Sequence, residues 1–134
     1  MVRQLVESGT EWEAHVGYSR AVRAGDQIHV SGTTPVDDEG EVVGETPYEQ
    51  TAAALEIVEG ALDEVDAGLE DVVRTRMYVT DADDWEEVGA VHADFFGDVR
   101  PAATIVEVSG LVGPEYVVEI EAEAVVPPER RSDE

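Results

Sequence analysis

Two stretches of helical periodicity, each running directly into an alternating strand, constrain this chain more than any other feature. The first opens at Thr46-Pro47, with Glu49 three residues after the threonine. That is the pattern in which a hydroxyl and a carboxylate satisfy free helix amides while proline takes the first helical position. Leu55, Val58, Leu62 and Val65 mark one face and Glu56, Glu59, Asp63 and Glu64 the other, and Gly68 is placed to stop the helix. Residues 72–79 (VVRTRMYV) alternate, with Val73, Thr75, Met77 and Val79 on one face and Arg74, Arg76 and Tyr78 on the other. Asp81 or Asp83 then caps a second helix that turns Trp85, Val88, His92, Phe95 and Phe96 inward and closes at Gly97. Strands follow at 102–108 and 116–126; upstream, 18–24 and 27–31 flank a Gly25-Asp26 hairpin turn, and Val42-Val43 reads as a short strand. The order ββ(β)αβαββ predicts an α+β fold, a mixed sheet with both helices packed on one face. One domain accounts for residues 1–126, and Pro127-Pro128 keeps the tail 127–134 out of the sheet, where it is expected to fray.

The uncovered face of that sheet is mixed in polarity. It carries Val117, Glu119, Glu121, Glu123 and Val125 from the last strand, with Arg74 and Arg76 beside them. Such a face predicts burial against further copies of the same chain. Three like charges at period 2 also repel unless they are solvated, paired or protonated. One reading pairs them with Arg74 and Arg76; the sharper one makes one carboxylate a general base in a cleft.

Charge narrows the setting. The 134 residues carry 32 acidic groups against 8 basic ones, a net charge of −24, and every cation is an arginine. Spread over roughly 6,900 Å² of surface, that excess disfavours a compact state until salt screens it, over about 3 Å at 1 M. The distribution along the whole chain predicts a protein of a very salty cytoplasm. The same field argues against nucleic acid, whose phosphates need clustered cations. No apolar run is long enough to span a membrane, and the first residues lack the apolar core of a secretory signal. There is no cysteine for a disulfide, thiol nucleophile or thiolate metal site. His15, His29 and His92 stand at no metal-ligand spacing, so no metal and no cofactor are expected.

Six pieces in order carry a resemblance over residues 16–126: VGYSRAV (16–22), IHVSGTTPV (28–36), VVRTRMYVTDADDW (72–85), HADFFGDVRP (92–101), PAATIVEV (101–108) and VEIEAEAV (118–125). Together they resemble the RidA (YjgF/YER057c) family. The resemblance implies a chorismate-mutase-like fold, a homotrimer with clefts between subunits, and hydrolysis of reactive enamines and imines to keto acids and ammonia. Tyr18 matches the cleft tyrosine, Ser31 and Gly32 the pair lining it, and Glu119 the glutamate that orients water. The family signature proline–alanine–arginine reads Pro101-Ala102-Ala103 here, so the arginine that grips a substrate carboxylate is replaced by Ala103. In this respect the chain resembles the arginine-lacking branches, for which deaminase activity does not follow from membership. Backbone amides of Thr104 and Ile105 are expected to polarise the substrate. Arg20, two residues from Tyr18, is the first candidate for a relocated guanidinium, ahead of Arg74, Arg76 and Arg100, whose place before Pro101 predicts extended backbone.

Two functions stay open: an enamine/imine deaminase using Glu119 and Tyr18, or a trimer that binds or senses a small metabolite without turnover. An endoribonuclease reading fails on the charge. The charge also makes a solution prediction. Thermal melting points should rise from dilute buffer to molar KCl; a flat or falling midpoint would mean that the carboxylates are locally compensated.

Overall fold

In the computed structural model, residues 3–127 are described. The elements are β1 (Arg3–Val6), α1 (Glu11–Val16), β2 (Ala21–Ala24), β3 (Gln27–Thr33), α2 (Pro47–Asp63), β4 (Val72–Val79), α3 (Trp85–Phe96), β5 (Ala102–Glu107) and β6 (Val118–Val125). The strands form one six-stranded sheet in the order β1-β2-β3-β6-β4-β5, with β4 and β5 parallel and every other neighbour antiparallel. The expected mixed sheet with two main helices is therefore present. Placing β6 between β3 and β4 leaves those two parallel, so the α2 connection crosses over a strand that the chain adds last.

The helices are built largely as their sequences dictate. Thr46 Oγ1 accepts from the Glu49 amide at 3.1 Å, and the Glu49 carboxylate reaches back to the amide of Glu45 at 2.9 Å, one residue earlier than an ideal capping box. Leu55, Val58 and Leu62 are wholly buried with Val88, Phe96, Val118 and Ile120 in a single core. α2 ends before Gly68, however. Asp66 takes a left-handed conformation (φ 63°), and the amides of Asp66 and Ala67 bond back to Asp63 and Leu62 at 3.2 and 3.0 Å. That is a Schellman stop with aspartate where glycine is usual. α3 closes similarly: the Arg100 amide donates to the Phe96 carbonyl at 2.9 Å with φ 57°, so the residue before Pro101 is left-handed rather than extended.

Four further expectations are corrected. Trp85 is 57% exposed at the head of α3, where it follows directly on the short 3-10 turn Ala82–Asp84 at the surface. Val73 faces solvent and Val72 the core, because the β4–β6 register shifts between Val72 and Arg74. Residues 18–20 precede β2 rather than belonging to it, and Val42 makes only an isolated bridge to Val36. β1 and α1 carried no sequence expectation; α1 is capped by Thr10 and ended by left-handed Gly17. Residues 128–134, most of the tail expected to fray, lie outside the described residues.

β6 divides the molecule in two. Val118, Ile120, Ala122 and Ala124 face the helices and are buried, while Glu119, Glu121 and Glu123 face the other way. On that open face Arg76 Nη1 lies 3.7 Å from both Glu121 and Glu123, His29 Nδ1 lies 3.5 Å from Glu123, and the Tyr78 hydroxyl donates to Glu121 at 3.0 Å. Arg74 instead donates to Thr104 Oγ1 at 3.0 Å. The paired reading of the glutamate row thus holds for Glu121 and Glu123. Glu119 is the one that no described arginine holds in an ion pair.

Candidate functional site

The site forms where three short-range constraints meet. Gly17 adopts φ 91°, and the amides of Gly17 and Tyr18 both bond to the Glu13 carbonyl, at 2.8 and 3.0 Å. Glu13 is itself fixed, its carboxylate taking the Ser8 amide and hydroxyl. This turn sends Tyr18 out over the open face, 38% exposed. Ser31 then ties the segment to β3: its hydroxyl donates to the Ser19 carbonyl at 2.6 Å and its amide to the Arg20 carbonyl at 2.9 Å. Tyr18 and Ser31 line an open groove of about 630 Å³ with Leu5 and Val22 of the sheet and Ala14 of α1.

Gly32 and Glu119 supply the chemistry. The β3–β6 register breaks between Val30 and Thr33, which takes Ser31 and Gly32 out of the regular ladder. A Cβ on Gly32 would lie 2.1 Å from Glu119 Oε2, so glycine is what lets the carboxylate lie against the β3 backbone. Burial pushes the Glu119 pKa up, the Arg20 guanidinium pulls it part of the way back, and Glu121 adds a smaller push upward. A half-buried carboxylate tuned toward neutrality is the kind of group that exchanges protons with water.

The other expected residues stand apart. Ala103 pairs with Thr75, whereas Glu119 pairs with Tyr78, which in turn lies opposite Val106. Ala103 is therefore two strands across and three residues along from Glu119, a separation of about 14 Å. Ala103 and Thr104 are exposed on the edge strand, and Ile105 is half-buried against the core. Successive amides of a strand point to opposite edges, so one of Thr104 and Ile105 bonds to β4 and only the other is free toward the edge. Within a single chain, then, Tyr18, Ser31, Gly32, Arg20 and Glu119 come together; Ala103, Thr104 and Ile105 do not join them.

Arg100 is exposed and Arg76 is committed to its two glutamates. His92, which burial holds below its usual pKa, bonds to Thr75 Oγ1 at 2.9 Å and packs on Phe96, a core-lining role. No group of three metal-competent side chains clusters among the described residues, and no helix there is long and apolar enough to cross a membrane. Sequence reasoning missed Thr33, fully buried, whose hydroxyl meets Arg20 at 3.5 Å. Only the register break that turns Thr33 inward could have revealed it.

A mixed sheet with its two long helices on one face and, on the other, a groove beside a half-buried carboxylate defines a class of small α+β proteins. The endoribonuclease L-PSP family matches residues 8–126, and the chain belongs to that family, the YjgF or RidA group. A crystal structure of a YjgF/YER057c/UK114 family member from Mycobacterium tuberculosis is 50% identical and superposes with a TM-score of 0.87, over 93% of this chain and 100% of that one. An uncharacterised protein of Streptomyces coelicolor is 38% identical over 119 residues, 89% of each chain. The 3-aminoacrylate deaminase RutC of Acinetobacter baylyi is 33% identical over 111 residues, 81% of this chain and 86% of that one.

The raised pKa of Glu119 predicts a stability effect with a definite sign. The folded state holds the proton more tightly than the unfolded state, so ionising Glu119 costs stability as pH rises from the unfolded pKa through the folded one. Glu119→Gln removes that cost and should melt higher than wild type at neutral pH, the two curves converging below the ordinary carboxylate range. A variant that melts lower at neutral pH would show that the ionised carboxylate is instead favourably held.

Proposed function

We propose that the chain assembles as a homotrimer whose intersubunit clefts take a small metabolite and hydrolyse reactive enamines or imines to a keto acid and ammonia. The observation that carries this reading is Glu119, a half-buried carboxylate set against Gly32 with its pKa pushed up and no arginine in ion-pair contact. In the reaction water adds to the imine carbon while Glu119 takes its proton. Glu119 delivers it to the imine nitrogen and then moves the hydroxyl proton of the adduct to the amino nitrogen; the C=O bond forms as the C–N bond breaks, and ammonia leaves. Tyr18 and Ser31 line the approach, and a free amide of the Thr104–Ile105 strand polarises the substrate.

The geometry favours assembly as part of the same reading. About 14 Å within one chain separates Glu119 from Ala103, so a site using both must draw them from two chains. The open sheet face, with Leu5 and Val106 exposed beside the charged rows, is the surface such an assembly would cover. The Acinetobacter relative is named for deamination of an aminoacrylate, a reaction of the chemical kind proposed here. One residue favours a second reading, a metabolite-binding or sensing trimer without turnover: Ala103 removes the bidentate grip that an arginine would supply, worth about 1.5–3 kcal/mol. In either case the partners are further copies of this chain and a small molecule, in a cytoplasm of high salt.

Two measurements test the proposal. Light scattering in molar salt should give about three times 14.5 kDa, and a monomer there would defeat it. On 2-aminoacrylate-type substrates Glu119→Gln should lose about 10²–10⁴-fold in turnover with the trimer intact, and Ala103→Arg should gain. Absence of turnover in wild type and Ala103→Arg alike, with a metabolite retained in the cleft, would establish the binding reading in its place.

A further inference from the structure

We propose that Arg20 is the anion receptor of this cleft, so that the ligand carries a carboxylate or a comparable oxyanion despite the alanine at position 103. The inference rests on reading the cleft as a ligand site and is independent of turnover.

The chain satisfies its other well-placed cations. With 32 acidic groups to 8 basic ones, partners are abundant, and Arg76 has taken two of them. Arg23 is 4% exposed, yet none of its nitrogens is buried without a partner: Nε donates to the Gly25 carbonyl at 3.0 Å and Nη1 to the Val65 carbonyl at 2.5 Å. Arg20 is 9% exposed and is treated otherwise. Its Nε is buried with no hydrogen-bond partner, and its one side-chain hydrogen bond, from Nη1 to Thr33 Oγ1, is 3.5 Å long. No described carboxylate lies within 4.0 Å of it. A guanidinium stays charged at any physiological pH and offers five N–H donors in a planar fork. Burying its Nε–H without a partner is costly, and an arriving anion removes that cost.

Its surroundings are those of the cleft. The guanidinium carbon sits 5.7 Å from the centroid of the Tyr18 ring, a cation–π contact with a residue that lines the groove. The Arg20 carbonyl accepts from Ser31, which joins the arginine to the Ser31–Gly32 segment against which Glu119 rests. Arg20 and Glu119 therefore both adjoin the Ser31–Gly32 segment beside the groove that Tyr18 and Ser31 line. The first would hold the anionic end of a ligand and the second would face its reactive carbon. Arg74 also has a buried Nε without a partner, but it is only half-buried and donates to Thr104 on β4's other flank, away from Tyr18.

The test uses pyruvate and pyruvamide, which match in size and differ in charge, at one fixed ionic strength. Wild type should bind pyruvate about 10- to 100-fold more tightly than pyruvamide. Arg20→Gln should bind both equally, with the assembly size of wild type. Should that variant fail to fold, the Arg20 Nε–H resonance of wild type gives the same answer: pyruvate moves it and pyruvamide does not. Equal binding of the two probes by wild type, a preference that survives in a folded Arg20→Gln, or a resonance that pyruvate leaves in place would each overturn the assignment. These are binding readouts, so loss of the hydrolytic reading would leave them unaffected.

Discussion

Strand β6 enforces a separation on which the rest of the structure depends. Its even-numbered positions from Val118 to Ala124 are small or branched apolar side chains that fill the space beneath α2, and the odd positions between them are glutamates. Because side chains alternate strictly along a strand, neither set can move without the other. The buried set fixes the register with β3 and β4, and that register decides which cations each glutamate meets. Arg76 falls between Glu121 and Glu123, Tyr78 reaches Glu121, and Glu119 is left opposite the one stretch of β3 where the ladder is broken. A carboxylate suited to proton transfer thus arises from ordinary strand pairing, with a glycine in the single place where a side chain would have pushed it away.

The acidity of the chain acts on top of this arrangement. On most of the surface the carboxylates are solvated and interchangeable, and their effect is collective repulsion. On the open sheet face they are individual, because each has a different neighbour. A chain with 8 cations against 32 anions has few arginines to place, so the location of each one is informative. Arg23 fixes the end of α2 to the β2–β3 turn, Arg76 neutralises the middle of the glutamate row, and Arg20 is spent beneath a tyrosine beside the cleft.

Much of this was legible in the sequence because it depends on short-range pattern. Thr46-Pro47 with Glu49 starts a helix wherever it occurs, and the alternation of VEIEAEAV places three glutamates on one face without knowledge of any neighbour. What was not legible depends on register and on termini. The bulge that exchanges Val72 for Val73 in the core is set by pairing with β6, far away in sequence. Asp66 and Arg100 take left-handed conformations because helix ends required them there, against the usual preference for glycine and for extended backbone before proline. β1 and α1 escaped notice because four and six residues give too little periodicity to read. At the site, Tyr18, Ser31, Gly32 and Glu119 were found by resemblance and are brought together. The distance from Glu119 to Ala103 is a property of sheet order that no linear motif encodes.

The position of β5 at the sheet margin has an evolutionary consequence. Ala102 and Ala103 project from a terminal strand and are exposed, so exchanging them disturbs little packing within the chain. The carboxylate beside Gly32 belongs to an interior strand and is locked into the folding of the whole domain. Substitutions at the margin can therefore accumulate with little effect on the stability of the domain, whereas a change at the interior carboxylate is felt by the whole sheet.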